Sequence, residues 1–391
     1  MQSNKLRIAI RATAAVAVLG MAGPAGAIDF KAGDYDVAVY GYARLNATYD
    51  IDENIAGRGT RSADFSKINV GAAEDNEASG HFGADARQSR IGFKVMSPEG
   101  VKVVVEGDFR GTGAGGNGDL RLRHAYGEYN GWLMGRNWSN FTSFVGNTSQ
   151  LEFDGVPGNA GLQSRAAQVR YTTGPLSVSL EQPNSSVASA ATTPALTEKT
   201  QTPAITARYE SSIDSLNYSV AAIVRQVGYD NGAADDSAIG AGAFVAAKLA
   251  LNDTFSVQGQ VVVSDGANGY LWRSGSNYYA DDAYVDGNGD VETISGYGAN
   301  LGVSMKTGTG SSVNVVYGMT ELDLDDAVAG SATSGITAED TESNSSASIN
   351  YQWSPVKNVN MGVQYAYHMV DKVNGDSGDA SRIHFAAQYN F

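Results

Sequence analysis

The sequence predicts an all-β protein, a transmembrane antiparallel up-and-down β-barrel of 16 strands with short periplasmic turns and long extracellular loops. Three observations carry this. Side chains alternate between apolar and polar with a period of two along the chain, which is the signature of half-buried strands. The connections alternate between short and long. The first 27 residues read as an export signal, and no later run approaches the ~20 apolar residues of a membrane helix. Composition agrees: 47 glycines and 20 tyrosines, with 8 prolines and no cysteine, suit a strand- and turn-rich chain. Without cysteine there are no disulfides, thiolate zinc sites or cysteine nucleophiles. A formal charge of −15 argues against nucleic acid as a partner.

The elements follow in order. Lys5, Arg7 and Arg11 form a positive head, Ala12 to Ala22 an apolar run of small residues, and Ala25-Gly26-Ala27 a cleavage site. The expected organisation is a cleaved signal peptide over 1–27 and an outer-membrane barrel over 28–391. Removing the three basic residues of the signal takes the charge from −15 to −18. The predicted strands span 37–50, 87–96, 100–110, 119–129, 131–138, 165–172, 175–182, 202–210, 214–225, 239–250, 253–264, 292–306, 311–322, 343–353, 357–369 and 381–391. The alternation is plain in Val359, Met361, Val363, Tyr365, Tyr367 and Met369, and again in Ile383, Phe385, Ala387, Tyr389 and Phe391. Short connections such as Ser97-Pro98-Glu99, Thr173-Gly174 and Ser354-Pro355-Val356 alternate strictly with long ones at 51–86, 111–118, 139–164, 183–201, 226–238, 265–291, 323–342 and 371–380. Tight turns at one end and long loops at the other describe an outer-membrane barrel. Closure is forced, because backbone groups in lipid must pair internally and a closed sheet has no edge.

Alternation also sorts side chains. With Val101, Val103, Val105, Phe109, Leu120 and Leu122 facing lipid, Lys102, Glu106, Asp108, Arg110, Arg121 and Arg123 face the lumen. The same parity turns Arg44, Arg90, Lys94, Arg170, Arg208, Arg225, Lys248, Lys306 and Arg382 inward, against the acids Asp50, Glu106, Asp108 and Glu210. A charge on the lipid face would cost roughly 2–4 kcal/mol at the midplane. The long connections hold most of the carboxylates and six basic residues, Arg58, Arg61, Lys67, Lys199, Arg273 and Lys372. Acid is therefore expected on the outer loops and base on the channel wall. A basic ring in a water-filled pore selects anions; the competing reading is that the inward arginines simply pair with nearby acids. In the long connection 139–164, Glu152 and Asp154 would face those arginines across the pore if the loop folds inward.

Other motifs carry less. Gly111-Thr112-Gly113-Ala114-Gly115-Gly116 matches a dinucleotide fingerprint, but a strand follows where a helix is required. Asp286, Asn288 and Asp290 resemble the start of a calcium loop, yet Val291 replaces the required glycine and Tyr297 the twelfth-position Glu, so a weak cation site competes with an Asx-rich turn. The histidines 81, 124, 368 and 384 have no metal spacing and nothing marks a nucleophile, so neither enzyme activity nor a cofactor is expected.

Gly41-Tyr42-Ala43-Arg44-Leu45, Gln88 to Lys94, Gly135-Arg136-Asn137-Trp138 and the terminal Tyr389-Asn390-Phe391 resemble Gram-negative trimeric porins. The run from Leu120 through Phe153-Asp154-Gly155 to Arg170-Tyr171 is most similar to DcaP-like porins. The resemblance implies a homotrimer in the outer membrane of a Gram-negative bacterium, with the third long loop folded into each pore. It implies that Arg136 and Arg165 line the constriction and that Phe391 is read by the assembly machinery. It also implies small hydrophilic solutes, anionic ones such as carboxylates and dicarboxylates among them. One departure stands out: described DcaP-type chains can carry an N-terminal coiled-coil extension, and here about nine residues separate Ile28 from the first strand. The alternatives are a general diffusion porin, or a structural or adhesive barrel whose acidic loops bridge divalent cations to lipopolysaccharide.

Overall fold

The computed structural model describes residues 27–57, 61–76, 78–111, 118–190 and 197–391. The expected signal peptide and most of the Gly111–Gly116 stretch lie outside the described residues. No helix of the described residues is long and apolar enough to cross a membrane; the chain crosses with strands.

Sixteen antiparallel strands close on themselves. They are β1 (Tyr35–Asp50), β2 in two pieces (His81–Asp85 and Arg90–Met96), β3 (Lys102–Gly111), β4 (Asp119–Tyr129), β5 (Trp132–Trp138), β6 (Arg165–Thr173), β7 (Leu176–Glu181) and β8 (Ala204–Ile213). They continue with β9 (Leu216–Asp230), β10 (Asp235–Ala250), β11 (Phe255–Asp265), β12 (Ser295–Gly308), β13 (Ser311–Leu322), β14 (Thr341–Val356), β15 (Val359–Lys372) and β16 (Ser377–Asn390). Each strand pairs with its sequence neighbour, and β16 returns to β1 from Tyr42↔Asn390 to Asp50↔Arg382. At the seam Gly41 N–H donates to the Phe391 carbonyl (2.9 Å) and Phe391 N–H to that of Gly41 (3.0 Å). A short strand, Ile28–Ala32, continues this edge by pairing Ile28↔Val39 to Ala32↔Tyr35.

Burial follows the alternation. On β1, Leu45 and Tyr49 are exposed to the outside while Arg44, Asn46, Thr48 and Asp50 are buried inside. On β16, Ile383 and Tyr389 point out while Arg382, His384 and Gln388 point in.

Three expectations change. The connections expected to be long at 226–238 and 371–380 contract to the turns 231–234 and 373–376, because the ladders run on to Asp230↔Asp235 and Asp371↔Ser377. Beyond the lipid both faces of a hairpin can be polar, so alternation fades while the strands continue. The second strand breaks between Asp85 and Arg90. There Asn46 Nδ2 donates to Gln88 Oε1 (2.9 Å) and Arg44 N–H to Ser89 Oγ (2.9 Å).

The third change concerns the lumen, which is not polar throughout. On β8–β11, Ala204, Ala221, Ile223, Phe244, Ala246 and Val262 form an apolar inner wall. It packs against Phe141, Val145 and Leu162 from the connection 139–164 (L3) and against Tyr270, Leu271, Tyr284 and Ile294 from 266–294 (L6). The connection 51–80 (L1) folds in as well, burying Ile55, Ala63 and Phe65. L3 folds inward as the resemblance implied and, with L6, fills the β8–β11 side, while L1 packs on Val370 of β15 and Ala380 of β16. The cavity left beside L3 is bordered by side chains of β1, β2, β4, β5, β10, β12 and β16.

Candidate pore constriction

L3 lies across the inside of the barrel because the facing strands offer it hydrogen bonds. Leu151 N–H donates to Gln364 Oε1 of β15 (2.8 Å), and the Leu151 carbonyl accepts from Arg44 Nη2 of β1 (2.6 Å). Asn350 of β14 donates to the Ser149 carbonyl (2.8 Å), Asn300 of β12 to that of Gly158 (3.0 Å), and Gln260 of β11 to Asn147 Oδ1 (2.7 Å). The wall must also lack side chains where the loop touches it. A Cβ on Gly318 of β13 would collide with the Pro157 carbonyl, and one on Gly302 of β12 with Thr148. These glycines serve close approach.

The narrowed space is a cavity of about 310 Å³ bordered by Tyr42, Arg44, Gln88, Arg123, Trp138, Lys248 and Gln388 on the barrel side and by residues of L3 from Phe144 to Gly155 on the other. Ser149, Lys248 and Ser304 also border a second cavity of about 550 Å³ that Lys306, Trp353 and Asn360 line among the turns.

Most predicted basic residues take up ion pairs. Arg123 binds Glu106 (2.7 Å) and Asp108 (2.8 Å), Arg121 binds Asp108 (2.7 Å), Arg90 lies 3.2 Å from Glu106, and Lys102 pairs with Glu128. Arg110 forms a fork with both oxygens of Asp154 (3.1 Å each). Arg382 holds Asp50 (2.6 Å) and Arg225 holds Asp282 of L6 (2.7 Å). Arg165 stacks over the Trp138 ring at 3.7 Å. Arg170 stands opposite the buried Leu133 and Ser179, on the lumen side. Arg136 is a correction. The register sets it opposite Ala125 and Ala167, on the face shared with the exposed Trp132 and Met134, away from the constriction. Side chains directly opposite across a ladder share a face, and both partners of Arg136 lie on the outer face, Ala125 opposite the exposed Val105 and Ala167 itself exposed; at the strand end Trp138 and Arg165 lie against L3 instead.

The acids Glu152 and Asp154 do sit in L3, but they do not oppose free arginines across an open gap. Glu152 Oε1 accepts from Ala63 N–H (2.7 Å) and Arg273 Nη2 (3.1 Å), and Glu152 lies 4.0 Å from both Arg382 and His368. Burial pushes the Glu152 carboxyl up against the pull of Arg382 and Arg273. Burial also works against Asp154, but Arg110 and Arg273 outweigh it and hold that carboxyl well below the usual range.

Sequence reasoning missed three partners. Glu128 was hidden by a β-bulge: Glu106↔His124 is followed by Gly107↔Leu122, so Arg123 is the extra residue and parity reverses beyond it. Glu181 was legible, since Leu176, Val178 and Leu180 face out and leave it beside Ser177 and Ser179. Arg273 had no local signal. At the candidate cation loop, Asn288 and Asp290 N–H groups both donate to Asp286 Oδ1 (2.8 and 2.9 Å), the geometry of an Asx turn. Among the described residues no group of three or more His, Cys, Asp or Glu could hold a metal ion.

The model of the DcaP outer membrane protein family matches residues 27–391. The chain belongs to this family. Among solved structures, the outer membrane channel DcaP of Acinetobacter baumannii is 29% identical, with 93% of this chain and 99% of that chain covered and a TM-score of 0.79. OmpT of Vibrio cholerae (9% identity, 93% and 100% covered, TM-score 0.55) and an anion-selective porin from Comamonas acidovorans (11%, 91% and 100%, 0.55) share the fold. No curated protein is a significant match. A DcaP-family barrel is an outer-membrane channel protein, and the cavity bordered by L3 lies inside it.

Proposed function

We propose that this DcaP-family barrel is a passive, water-filled diffusion channel for small hydrophilic solutes that favours anions, carboxylates and dicarboxylates in particular, and has no enzymatic role. The carrying observation is the balance of charge around L3. Three groups of ion pairs there set six arginines (Arg90, Arg110, Arg121, Arg123, Arg273 and Arg382) against five carboxylates (Asp50, Glu106, Asp108, Glu152 and Asp154). Arg44 and Lys248 add positive charge on the cavity border. An excess of fixed positive charge beside the cavity raises the local anion concentration.

Reversal potentials across planar bilayers in a salt gradient test it. Anion selectivity is expected, and clear cation selectivity would refute it. A second reading, a general diffusion porin, draws support from the pairing of most inward arginines; equal size-limited rates of liposome swelling for neutral sugars and diacids would favour it. Absence of any conductance would point instead to the structural or adhesive barrel. The proposal includes export by a signal peptide over 1–27, assembly as a homotrimer in a lipopolysaccharide-bearing bilayer, and recognition of Phe391 by the assembly machinery.

A further inference from the structure

Arg273 belongs to L6, and nothing in its neighbourhood along the chain points to the pore. It is fully buried, at φ +67°, a left-handed conformation that residues with a side chain adopt where surrounding contacts hold them. Its carbonyl accepts from Thr320 Oγ1 of β13 (2.9 Å) and Asn344 Nδ2 of β14 (2.8 Å), and its N–H donates to the Tyr278 carbonyl (2.8 Å). Nη1 donates to the Ala63 carbonyl of L1 and to Asn277 Oδ1 (2.8 Å each), and Nη2 to Glu152 Oε1 of L3 (3.1 Å). The rings of Tyr278 and Phe65 lie 5.0 and 5.1 Å from the guanidinium. The preceding residue, Trp272, clamps the same loop: its Nε1 donates to the Asp154 carbonyl (2.7 Å), and its own carbonyl accepts from Gly158 N–H (3.1 Å). Glu152 borders the cavity; Arg273 stands behind it.

We propose that Arg273 sets the charge of the constriction, cancelling Glu152 from behind and binding L1, L3 and L6 into one frame, so that the arginines of the barrel wall act on a passing anion unopposed by the loop. Arg273 is a positioning residue, since it reaches the solute only through Glu152. The inference rests on the anion-preferring reading above. Its physical basis is range. Exposed charges within about 10 Å of one another still interact at 0.1 M salt, and partly buried ones are screened less. Without Arg273, Glu152 would keep only the more distant Arg382, 4.0 Å away and already bound to Asp50, and would subtract from the field of Arg44 and Arg123 across the same cavity.

The test is a set of reversal-potential measurements on the full-length protein in planar bilayers. Arg273→Gln is expected to lower the anion-to-cation permeability ratio about twofold or more, the scale of one unit charge beside the ion path. Arg273→Gln combined with Glu152→Gln is expected to bring the ratio back to the wild-type value or above it, although the loop frame stays loosened. A purely structural role would leave the double variant as impaired as the single one, and that outcome overturns the proposal, as does an unchanged ratio in Arg273→Gln. Should that variant fail to assemble, Glu152→Gln alone decides. It leaves Arg273 uncancelled and must raise the ratio by about twofold; no rise overturns the proposal. Failure of the anion reading is separate, because it is read from the wild type alone.

Discussion

Arg123 carries the clearest residue-scale consequence. Its guanidinium is buried between Glu106 and Asp108, and its Cζ lies 5.5 Å from the Phe153 ring of L3. Breaking a buried pair by removing one partner typically costs about 3–5 kcal/mol, because a charge is left behind uncompensated. Arg123→Gln is therefore expected to lower the thermal unfolding midpoint of the detergent-solubilised barrel and to reduce anion selectivity together. Arg121 shares Asp108 but is 38% exposed at its side chain, so Arg121→Gln should leave the midpoint nearly unchanged. Equal losses of stability in the two variants would contradict this ranking. Strand parity places both residues inward without placing their partners. A carboxylate two residues along the neighbouring strand is invisible until register and bulge are known.

At the scale of elements, the placement of L3 depends on the glycines beneath it. Gly318→Ala puts a methyl group against the Pro157 backbone, which cannot rotate away. The loop must then lift from β13 toward the channel, and single-channel conductance should fall while the barrel still assembles. A conductance equal to the wild type would mean that the loop contact does not define the passage. The seam between β1 and β16 makes a second case. Deleting Phe391 removes both of its backbone bonds to Gly41, so the yield of assembled protein in outer membranes should drop, and a normal yield would argue against the terminal residue as an assembly determinant. Strands were the most legible elements, because inside–outside alternation is imposed residue by residue by lipid on one side. Their upper ends were not, as β9, β10, β15 and β16 continue past the lipid. The path of L3 was readable only through resemblance; Ser, Asn and Phe in a long connection do not say which wall the loop will lie on.

For the whole molecule, the single formal charge of −15 hides an uneven distribution. Carboxylates such as Asp253, Asp290 and Asp376 sit exposed in turns and loops, whereas the arginines concentrate inside. If that inner excess governs permeation, the anion-to-cation ratio should decline as salt rises from 0.1 M to 1 M, since the screening length falls from about 10 Å to about 3 Å. A ratio independent of salt, measured by reversal potentials at constant gradient, would place selectivity in size rather than charge. The amino-acid sequence by itself determined the number of strands, their closure, the face on which most charged side chains lie and the family. All of these follow from local alternation and turn spacing, or from short runs of residues. Only the tertiary structure decided which arginines are paired, that Arg136 faces outward, and that an apolar core of L3 and L6 fills one side of the lumen. Ion pairing and packing join residues far apart in the chain, as Glu152 and Arg273 are, 121 positions from one another. Which carboxylate meets which guanidinium is set by the register of the whole closed sheet and by the loops folded into it.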